Sequence, residues 1–169
     1  MDFRRVATGI IINRDKKVLM CEHVWIDNAW QFPQGGVKKG ESEEEALLRE
    51  LKEELGTDKF YILKKSKKLL KYQLPYYLVK KYSIKGQEQR FFLVYFYGDD
   101  DEIKLDNYGE NYKPEFKSFK WVDYNRPPLE VIYFKKISYK RALDEFREFY
   151  ENLDVNEIEK KIKEEIKKE

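Results

Sequence analysis

The fold is decided by the stretch Arg49-Glu50-Leu51-Lys52-Glu53-Glu54-Leu55-Gly56, which combines helix-forming residues with a dense set of carboxylates. Upstream, Ser42 followed by Glu45 forms a capping box, a common signal for the start of a helix. Leucines then recur at helical spacing until Gly56, and glycine commonly follows the last turn of a helix. The spacing predicts a helix over residues 43–55.

The glutamates of this helix crowd one face, which is separate from the leucine face. Glu50, Glu53 and Glu54 stand at i, i+3 and i+4, so their side chains fall within an arc of about 100°. Like charges at these spacings destabilise a helix by about 0.2 to 0.5 kcal/mol per pair in water. A divalent cation would offset this repulsion. The alternative is a solvated helix face, which is the interpretation we give to the glutamates at 43–45.

The order and spacing of further residues around this helix favour a cation-binding face over a solvated one. Five residues separate Gly35 from Glu41, and seven residues separate Glu41 from Arg49, the start of the quoted stretch. This pattern resembles the Nudix box, with Thr57 at a position that is usually aliphatic in that family. The resemblance implies the α/β class and a Nudix fold: an α/β/α sandwich with a mixed β-sheet, in which the box forms a loop, a helix and a second loop.

The resemblance also implies roles for the box residues. Glu50, Glu53 and Glu54 would be catalytic residues that hold magnesium or manganese, and Glu50 is also eligible as the base that activates water. Residues implied to support the site are Gly35, Gly36, Glu41 and Arg49, with Glu41 paired to Arg49. Hard oxygen donors suit Mg²⁺, which keeps several waters and bridges substrate phosphates.

Segments outside the box indicate which members of the family this chain resembles. They are similar to bacterial RNA pyrophosphohydrolases and to asymmetric diadenosine tetraphosphate hydrolases. The matching segments are Trp30–Gly36, Leu70–Pro75, Gly86–Arg90, Pro114–Phe116 and Phe134–Lys135. By this resemblance Glu115 is a further metal ligand or base. Taken alone, a glutamate at this place would more often be plain surface.

The same resemblance implies a substrate-binding set. Residues that would face phosphates are Arg5, Tyr72, Gln87 and Lys135, and Phe134 would stack on a base. Phosphate oxygens accept hydrogen bonds from charged donors, and an aromatic face gives stacking that tolerates any base. Taken singly, a phenylalanine is more often core and a lysine more often solvated. The lysine-rich stretch from Lys64 to Lys81 is either a guide for an RNA backbone or a solvated face.

These observations predict a metal-dependent hydrolase that removes pyrophosphate from the 5′-triphosphate end of RNA and leaves a 5′-monophosphate. The nearest alternative is hydrolysis of diadenosine tetraphosphate, a dinucleoside polyphosphate, to ATP and AMP. A third alternative is a Nudix module that binds a nucleotide without cutting it. Such modules typically lose box glutamates, whereas this chain keeps Glu50, Glu53 and Glu54.

Composition excludes several other classes. The chain has 169 residues and a formal net charge of +2, so affinity for nucleic acid would depend on local lysine clusters. One cysteine and one histidine exclude an internal disulfide, a thiol-rich metal site and a two-histidine zinc site. The sequence contains neither a signal peptide core nor an apolar run of roughly 18 residues. We therefore expect a cytoplasmic protein with no membrane contact and no obligate protein partner.

The remaining pattern is mixed strand and helix. Predicted elements are a hairpin of residues 6–12 and 18–20, an irregular loop over residues 30–36, a central strand over 91–97, an edge or half-buried strand over 119–122 and a helix over 139–150. We assign residues 1–152 to one Nudix domain and 153–169 to a charged helical extension. The isoleucines of this extension recur every four residues amid opposite charges, which predicts a helix with a narrow apolar stripe. Such a helix could stand free, pack on the domain or pair with another helix.

Overall fold

The computed structural model describes residues 2–106 and 113–168. Within them, eight strands form one sheet. The strands are β1 (Phe3–Ile12), β2 (Val18–His23), β3 (Trp30–Gln31), β4 (Gln34–Gly36), β5 (Phe60–Lys65), β6 (Leu70–Gln73), β7 (Gly86–Phe96) and β8 (Phe116–Val122). The helices are α1 (Glu43–Leu55), α2 (Tyr76–Tyr82), α3 (Pro127–Glu130), α4 (Lys136–Glu151) and α5 (Val155–Lys167). Short 3-10 turns occupy Asp100–Glu102 and Tyr133–Lys135.

The sheet is mixed, as predicted. β1 and β7 run parallel from the Phe3–Gly86 pair to the Ile12–Tyr95 pair, and the other strand pairs are antiparallel. The predicted hairpin is β1 and β2. The predicted central strand is β7, which lies between β1 on one side and β5 and β6 on the other. β7 begins five residues earlier than predicted, because its first half is polar and an apolar run does not reveal it.

Helices cover both faces of the sheet. Leu47, Leu51 and Leu55 of α1 pack on one face, in a cluster that includes Ile11. The residues that pack on the other face come from α4 and α5 and include Tyr139, Ala142, Leu143, Phe146 and Ile162, in a cluster that includes Ile10. Neighbouring residues of a strand point to opposite faces, which is why Ile10 and Ile11 belong to different clusters. The α/β/α sandwich and the helix predicted over residues 139–150 are thus confirmed.

Helix α1 has the predicted bounds. The Ser42 hydroxyl accepts a hydrogen bond from the Glu45 N–H at 3.0 Å. At the other end, Gly56 adopts φ 71°, a left-handed conformation that glycine enters without the steric cost of a Cβ. Both caps could be predicted from the sequence because they depend on contacts within one turn of the helix.

The loop predicted over residues 30–36 is instead two short strands. β4 pairs with β1 opposite Val6, Ala7 and Thr8. Between β3 and β4, the Pro33 carbonyl accepts a hydrogen bond from the Gly9 N–H at 3.0 Å. Proline and glycine do interrupt the segment, but their neighbours still hydrogen-bond to a strand that is distant in sequence. The consequence is that the glycines of β4 are held beside β1.

The C-terminal helix packs on the domain. Ile162 is buried, and the Glu159 carboxylate accepts hydrogen bonds from Arg14 and from the Tyr95 hydroxyl at 2.6 Å. The Tyr61 hydroxyl donates to Glu165 at 2.9 Å. Of the three arrangements left open by the sequence, α5 adopts the packed one. Across residues 2–106 and 113–168, every helix is too short or too polar to traverse a bilayer.

Candidate active site

A cavity of about 190 Å³ opens where α1, β1, β4 and the segment before β8 meet. Its lining residues are Arg4, Val6, Gln34, Gly35, Gly36, Glu50, Glu54 and Glu115. Two of the glutamates come from α1. The third, Glu115, is fixed beside β2 because its carbonyl accepts a hydrogen bond from the Val24 N–H at 2.8 Å. Two carboxylates from one helix and a third that is distant in sequence thus face one small space.

Glu54 gives the clearest indication that the cavity suits a cation. Its side chain is 3% exposed, and its Oε2 has no hydrogen-bond partner within the described residues. Burial, followed by the neighbouring carboxylates of Glu115 and Glu50, raises the pKa of Glu54 well above its usual range. Crowded carboxylates are stabilised when a cation sits between them, and an all-oxygen donor set is the one that Mg²⁺ or Mn²⁺ prefers. The residues present therefore fit a divalent metal ion.

Glu53 occupies a different position from Glu50 and Glu54. Its carboxylate is partly exposed, lies 3.6 Å from Nη1 of Arg49, and is not among the cavity-lining groups. The predicted set of three helix glutamates is therefore divided, with two members inside the cavity and one outside its lining. The metal-binding role of Glu53 stays a prediction.

Arg49 ties the loop before α1 to the helix itself. Its Nε and Nη2 donate to the two Glu41 oxygens at 2.6 and 3.0 Å, and Nη2 also donates to the Gly36 carbonyl at 3.0 Å. Its Nη1 donates to Glu50 Oε1 at 2.7 Å. Hydrogen bonds from Arg49 and from the Lys38 backbone lower the pKa of Glu41 to about 2, so Glu41 stays ionised throughout the neutral range. The rotamer of Glu50 is held by this network.

The two glycines of β4 leave room for two side chains of the cavity. A Cβ added to Gly35 would lie 1.9 Å from Glu50 Cγ, and one added to Gly36 would lie 2.4 Å from Arg4 Nη2. Contacts this short are impossible, so any larger residue at either position would displace its neighbour. Gly35 is thus required for the position of Glu50, and Gly36 for that of Arg4.

Arg4, not the predicted Arg5, lines the cavity. Arg5 forms ion pairs with Glu88 at 3.3 Å and with Glu43, at the start of α1, at 3.8 Å. Adjacent strand residues point to opposite faces, so only one of the two arginines can reach the cavity. The resemblance gives the phosphate-binding role to Arg5, and a contact of Arg5 with substrate stays a prediction. Strand alternation places Arg4 on the same face as Val6, another lining residue.

A chain of side-chain amides continues from the cavity along the sheet. Gln89 donates to Thr8 Oγ1 at 3.1 Å and to Gln34 Oε1 at 3.0 Å, and Gln34 donates in turn to Gln87 Oε1 at 3.3 Å. In this arrangement the Gln87 side-chain oxygen accepts a hydrogen bond, and its NH₂ group can donate one to a ligand. Gln34 and Gln89 were not predicted as site residues, because their role depends on contacts between β1, β4 and β7.

The other predicted substrate residues lie next to this chain of amides. Gln87 pairs in register with Arg4 on β1 and with Tyr72 on β6, which places the three in one row across the sheet. The Tyr72 ring is buried and contacts the Phe134 ring at a centroid distance of 5.7 Å. In this position the Tyr72 ring supports Phe134, and its predicted contact with phosphate stays a prediction.

Lys135 connects this aromatic pair to the carboxylates. It is 8% exposed, and its Nζ lies 5.7 Å from the centre of the Tyr72 ring. Burial lowers the pKa of Lys135 to about 8, and the nearby charge of Glu115 opposes that fall. A desolvated cation close to the cavity is a strong donor for an anionic ligand, since its interactions are weakly screened.

A second cluster of acidic residues lies outside the cavity. The carboxylates of Asp99, Asp101 and Glu102 come within 4.8 Å of one another at the first 3-10 turn. They are mostly exposed, Glu102 accepts from the Asp99 N–H in a capping box and pairs with Lys59, and none of them lines the cavity. Their position is explained by the capping of this turn.

Comparisons with known proteins identify the family and the fold. The NUDIX domain model matches residues 3–160. The RNA pyrophosphohydrolase of Thioalkalivibrio sulfidiphilus is 38% identical over 150 residues, covering 85% of this chain and 84% of that protein. The RNA pyrophosphohydrolase of Wolbachia pipientis wMel is 40% identical over 151 residues, covering 86% and 90%. A C. elegans Ap4A hydrolase complex shares the fold, with a TM-score of 0.63, 20% identity and coverage of 89% and 99%.

Proposed function

The chain belongs to the NUDIX family of hydrolases, and from that premise we propose that it removes pyrophosphate from the 5′-triphosphate end of RNA, leaving a 5′-monophosphate. One observation carries the proposal: a cavity with three carboxylates adjoins phosphate donors on neighbouring strands and the partly exposed Phe134 ring, which is backed by the buried Tyr72 ring. The similarity to RNA pyrophosphohydrolases over most of both chains supports it.

Family members generally act with a divalent metal ion. In this chain Glu50, Glu54 and Glu115 would hold Mg²⁺ or Mn²⁺, with Glu53 as a further ligand. When bound, the ion supplies charge neutralisation at the phosphates and lowers the pKa of the attacking water. The unpartnered Glu54 oxygen supports this assignment, because a buried carboxylate without a partner is costly.

The remaining site residues would hold the triphosphate. Arg4, the Gln87 amide and Lys135 present donors from three different elements, so they can bind oxygens along an extended phosphate chain. Hydrolysis adds the oxygen of one water to phosphorus and breaks one phosphoanhydride bond, which releases pyrophosphate. Arg49 would act through Glu50, keeping that carboxylate in one rotamer as charge develops. Phe134, backed by Tyr72, would stack on a base near the 5′ end.

Hydrolysis of diadenosine tetraphosphate to ATP and AMP is the second candidate. The aromatic pair favours it, because Phe134 could stack on an adenine as readily as on an RNA base. A purely binding module is disfavoured, since all three box glutamates remain. Either substrate would place the protein in the cytoplasm, and its buried, free Cys21 is compatible with a reducing compartment.

The deciding experiment compares kcat/KM on triphosphorylated RNA and on diadenosine tetraphosphate under one set of conditions with Mg²⁺. The proposal expects pyrophosphate release from RNA with the higher kcat/KM. A higher kcat/KM on the dinucleotide would select the second candidate. Absence of turnover on both, by protein that is folded and binds metal, would reject both.

A further inference from the structure

Positive charge is concentrated in one segment of the chain. Residues 59–87 contain nine lysines and no aspartate or glutamate, although the whole chain has a net charge of only +2. These lysines are Lys59, Lys64, Lys65, Lys67, Lys68, Lys71, Lys80, Lys81 and Lys85. The rest of the chain is therefore acidic on balance, and any attraction for a polyanion is focused on this segment.

Helix α2 presents the part of this segment that is least occupied by internal contacts. Tyr76, Tyr77 and Tyr82 are 74%, 62% and 56% exposed, and no α2 residue is buried. Lys80 lies 4.9 Å from the Tyr76 ring centre and Lys81 lies 5.3 Å from that of Tyr82. Among the described residues, neither lysine forms an ion pair, in contrast to those of β5 and β6 that pair with glutamates.

The position of α2 relates it to the candidate active site. It joins β6 to β7 directly beyond the row of Arg4, Gln87 and Tyr72. The connection is closed by hydrogen bonds from the Leu74 N–H to the Lys85 carbonyl and from the Lys85 N–H to the Asp2 carbonyl. Tyr76 follows Tyr72 by four residues, so the two Cα atoms are at most roughly 14 Å apart.

We propose that Tyr76, Tyr77, Lys80, Lys81, Tyr82 and Lys85, hereafter the α2 surface, bind single-stranded RNA downstream of the 5′ end. The inference rests on the proposed function, which places the 5′ end in the cavity. Aromatic faces interleaved with lysines suit a strand whose bases stack and whose phosphates are anionic, without preference for sequence. An acidic peptide would use the lysines and leave three large exposed rings without a role. The α2 surface therefore makes a long RNA a better substrate than a short one.

The test uses two triple variants of the full chain. One carries Lys80→Gln, Lys81→Gln and Lys85→Gln, and the matched control carries Lys160→Gln, Lys167→Gln and Lys168→Gln at exposed positions in or next to α5. A further variant, Tyr76→Ser with Tyr77→Ser, removes rings and leaves the charge unchanged. Substrates are a triphosphorylated dinucleotide and a triphosphorylated RNA of about 16 nucleotides, the upper site size of one strand-binding domain.

We expect wild-type kcat/KM to be higher on the long RNA, and we expect both α2 variants to lose that advantage while retaining activity on the dinucleotide. Loss of one stacked base corresponds to roughly 5- to 150-fold. Removing three phosphate contacts should reduce the slope of log K against log salt by about 2. The α5 control should behave as wild type.

Binding of a 5′-hydroxyl RNA of the same length, measured by fluorescence anisotropy, separates this inference from the proposed function because it needs no turnover. Weaker binding by both α2 variants supports the α2 surface even if the enzyme prefers a dinucleotide substrate. Equal binding by all variants overturns it. Unchanged RNA binding together with lost binding of a polyglutamate peptide would assign the surface to an acidic protein instead.

Discussion

The two sides of the cavity are built in opposite ways. The carboxylate half is formed by Glu50, Glu54 and Glu115; the Glu50 carboxylate accepts a charged hydrogen bond from Arg49, and Glu115 is fixed through its backbone carbonyl. The donor half begins at Arg4 and Gln34 in the lining and continues beside the cavity to Gln87 and Lys135, and side-chain amides and strand register hold it in place. One half has an excess of negative charge and suits a metal ion, and the other suits phosphate. The separation lets a single small space bind a cation and an anion together.

The largest effect is expected in the carboxylate half. Glu54→Gln should lower kcat by at least roughly 100-fold at saturating Mg²⁺, because losses even beyond the direct ligands of a metal cost about 10- to 100-fold. The metal-free variant should be no less stable than wild type, since the substitution removes a buried carboxyl group that is crowded by Glu50 and Glu115 and has one unpartnered oxygen. Steady-state kinetics and thermal melts measure the two quantities.

Glu44→Gln is the matched control for that variant. Glu44 lies on the exposed side of the same helix, and its one ion pair among residues 2–106 and 113–168 is with Lys65, at 2.8 Å. Exposed ion pairs contribute little, so activity and melting temperature should stay close to wild type. Similar activity in Glu54→Gln and Glu44→Gln would mean that the metal site is wrongly placed.

Substitutions of the two β4 glycines should each disturb one half of the cavity. Gly35→Ala must displace Glu50 and should lower kcat by about 10- to 100-fold, the range for positioning losses at a metal site. Gly36→Ala must displace the flexible end of Arg4 and should act mainly on KM. Measuring kcat and KM separately for both variants distinguishes them. An equal loss of kcat in both would show that the halves do not act independently.

The two halves also differ in how much the sequence revealed. The α1 bounds, its caps and the Glu41–Arg49 pair were predictable, because the residues involved lie within one loop and one helix. The choice of Arg4 over Arg5, and the chain of amides through Gln89, depend on pairing between strands that are distant in sequence. Periodicity predicts that a strand exists, but not which of two adjacent arginines meets a partner from another strand.

Arg4 and Arg5 offer a direct test of that register. Arg4→Gln should lower kcat/KM by roughly 10-fold or more, because hydrogen bonds to charged groups contribute about 1.5 to 3 kcal/mol. Arg5→Gln removes only partly exposed ion pairs, so we expect a change of less than about 3-fold. The two variants change the same charge on the same strand. A larger loss for Arg5→Gln would mean that β1 presents the opposite face to substrate.

Substitution of Phe134 tests the proposed stacking contact between the donor half and a base of the RNA. Phe134→Ala should lower kcat/KM on triphosphorylated RNA by about 5-fold, which corresponds to roughly 1 kcal/mol of stacking. The loss should be smaller on a nucleoside triphosphate, which has fewer bases to stack. Since Phe134 also contacts Tyr72, the melting temperature is measured alongside. Equal losses on both substrates with a lower melting temperature would assign Phe134 to packing alone.

The smallest effect on catalysis is expected from α5, which contributes no residue to the lining of the cavity. Deleting residues 155–169 should leave kcat/KM nearly unchanged at temperatures where the protein is folded, in keeping with the proposed boundary between a catalytic domain at 1–152 and an extension. Stability should nevertheless fall. Ile162→Ala isolates that effect, because Ile162 is buried against the α4 side of the sheet.

Truncating a buried isoleucine costs about 2 to 5 kcal/mol, and we expect the lower part of that range because a terminal helix can move to fill the space. For a chain of this size each kcal/mol shifts the melting temperature by roughly 2 to 4 °C, so the expected fall is about 5 to 10 °C. Ile166→Ala is the control, since Ile166 is exposed on the same helix and its truncation should change the melting temperature little. If Ile162→Ala also lowers kcat/KM at temperatures where it is fully folded, α5 acts on the cavity through the sheet, and the division of the chain at residue 152 would be rejected.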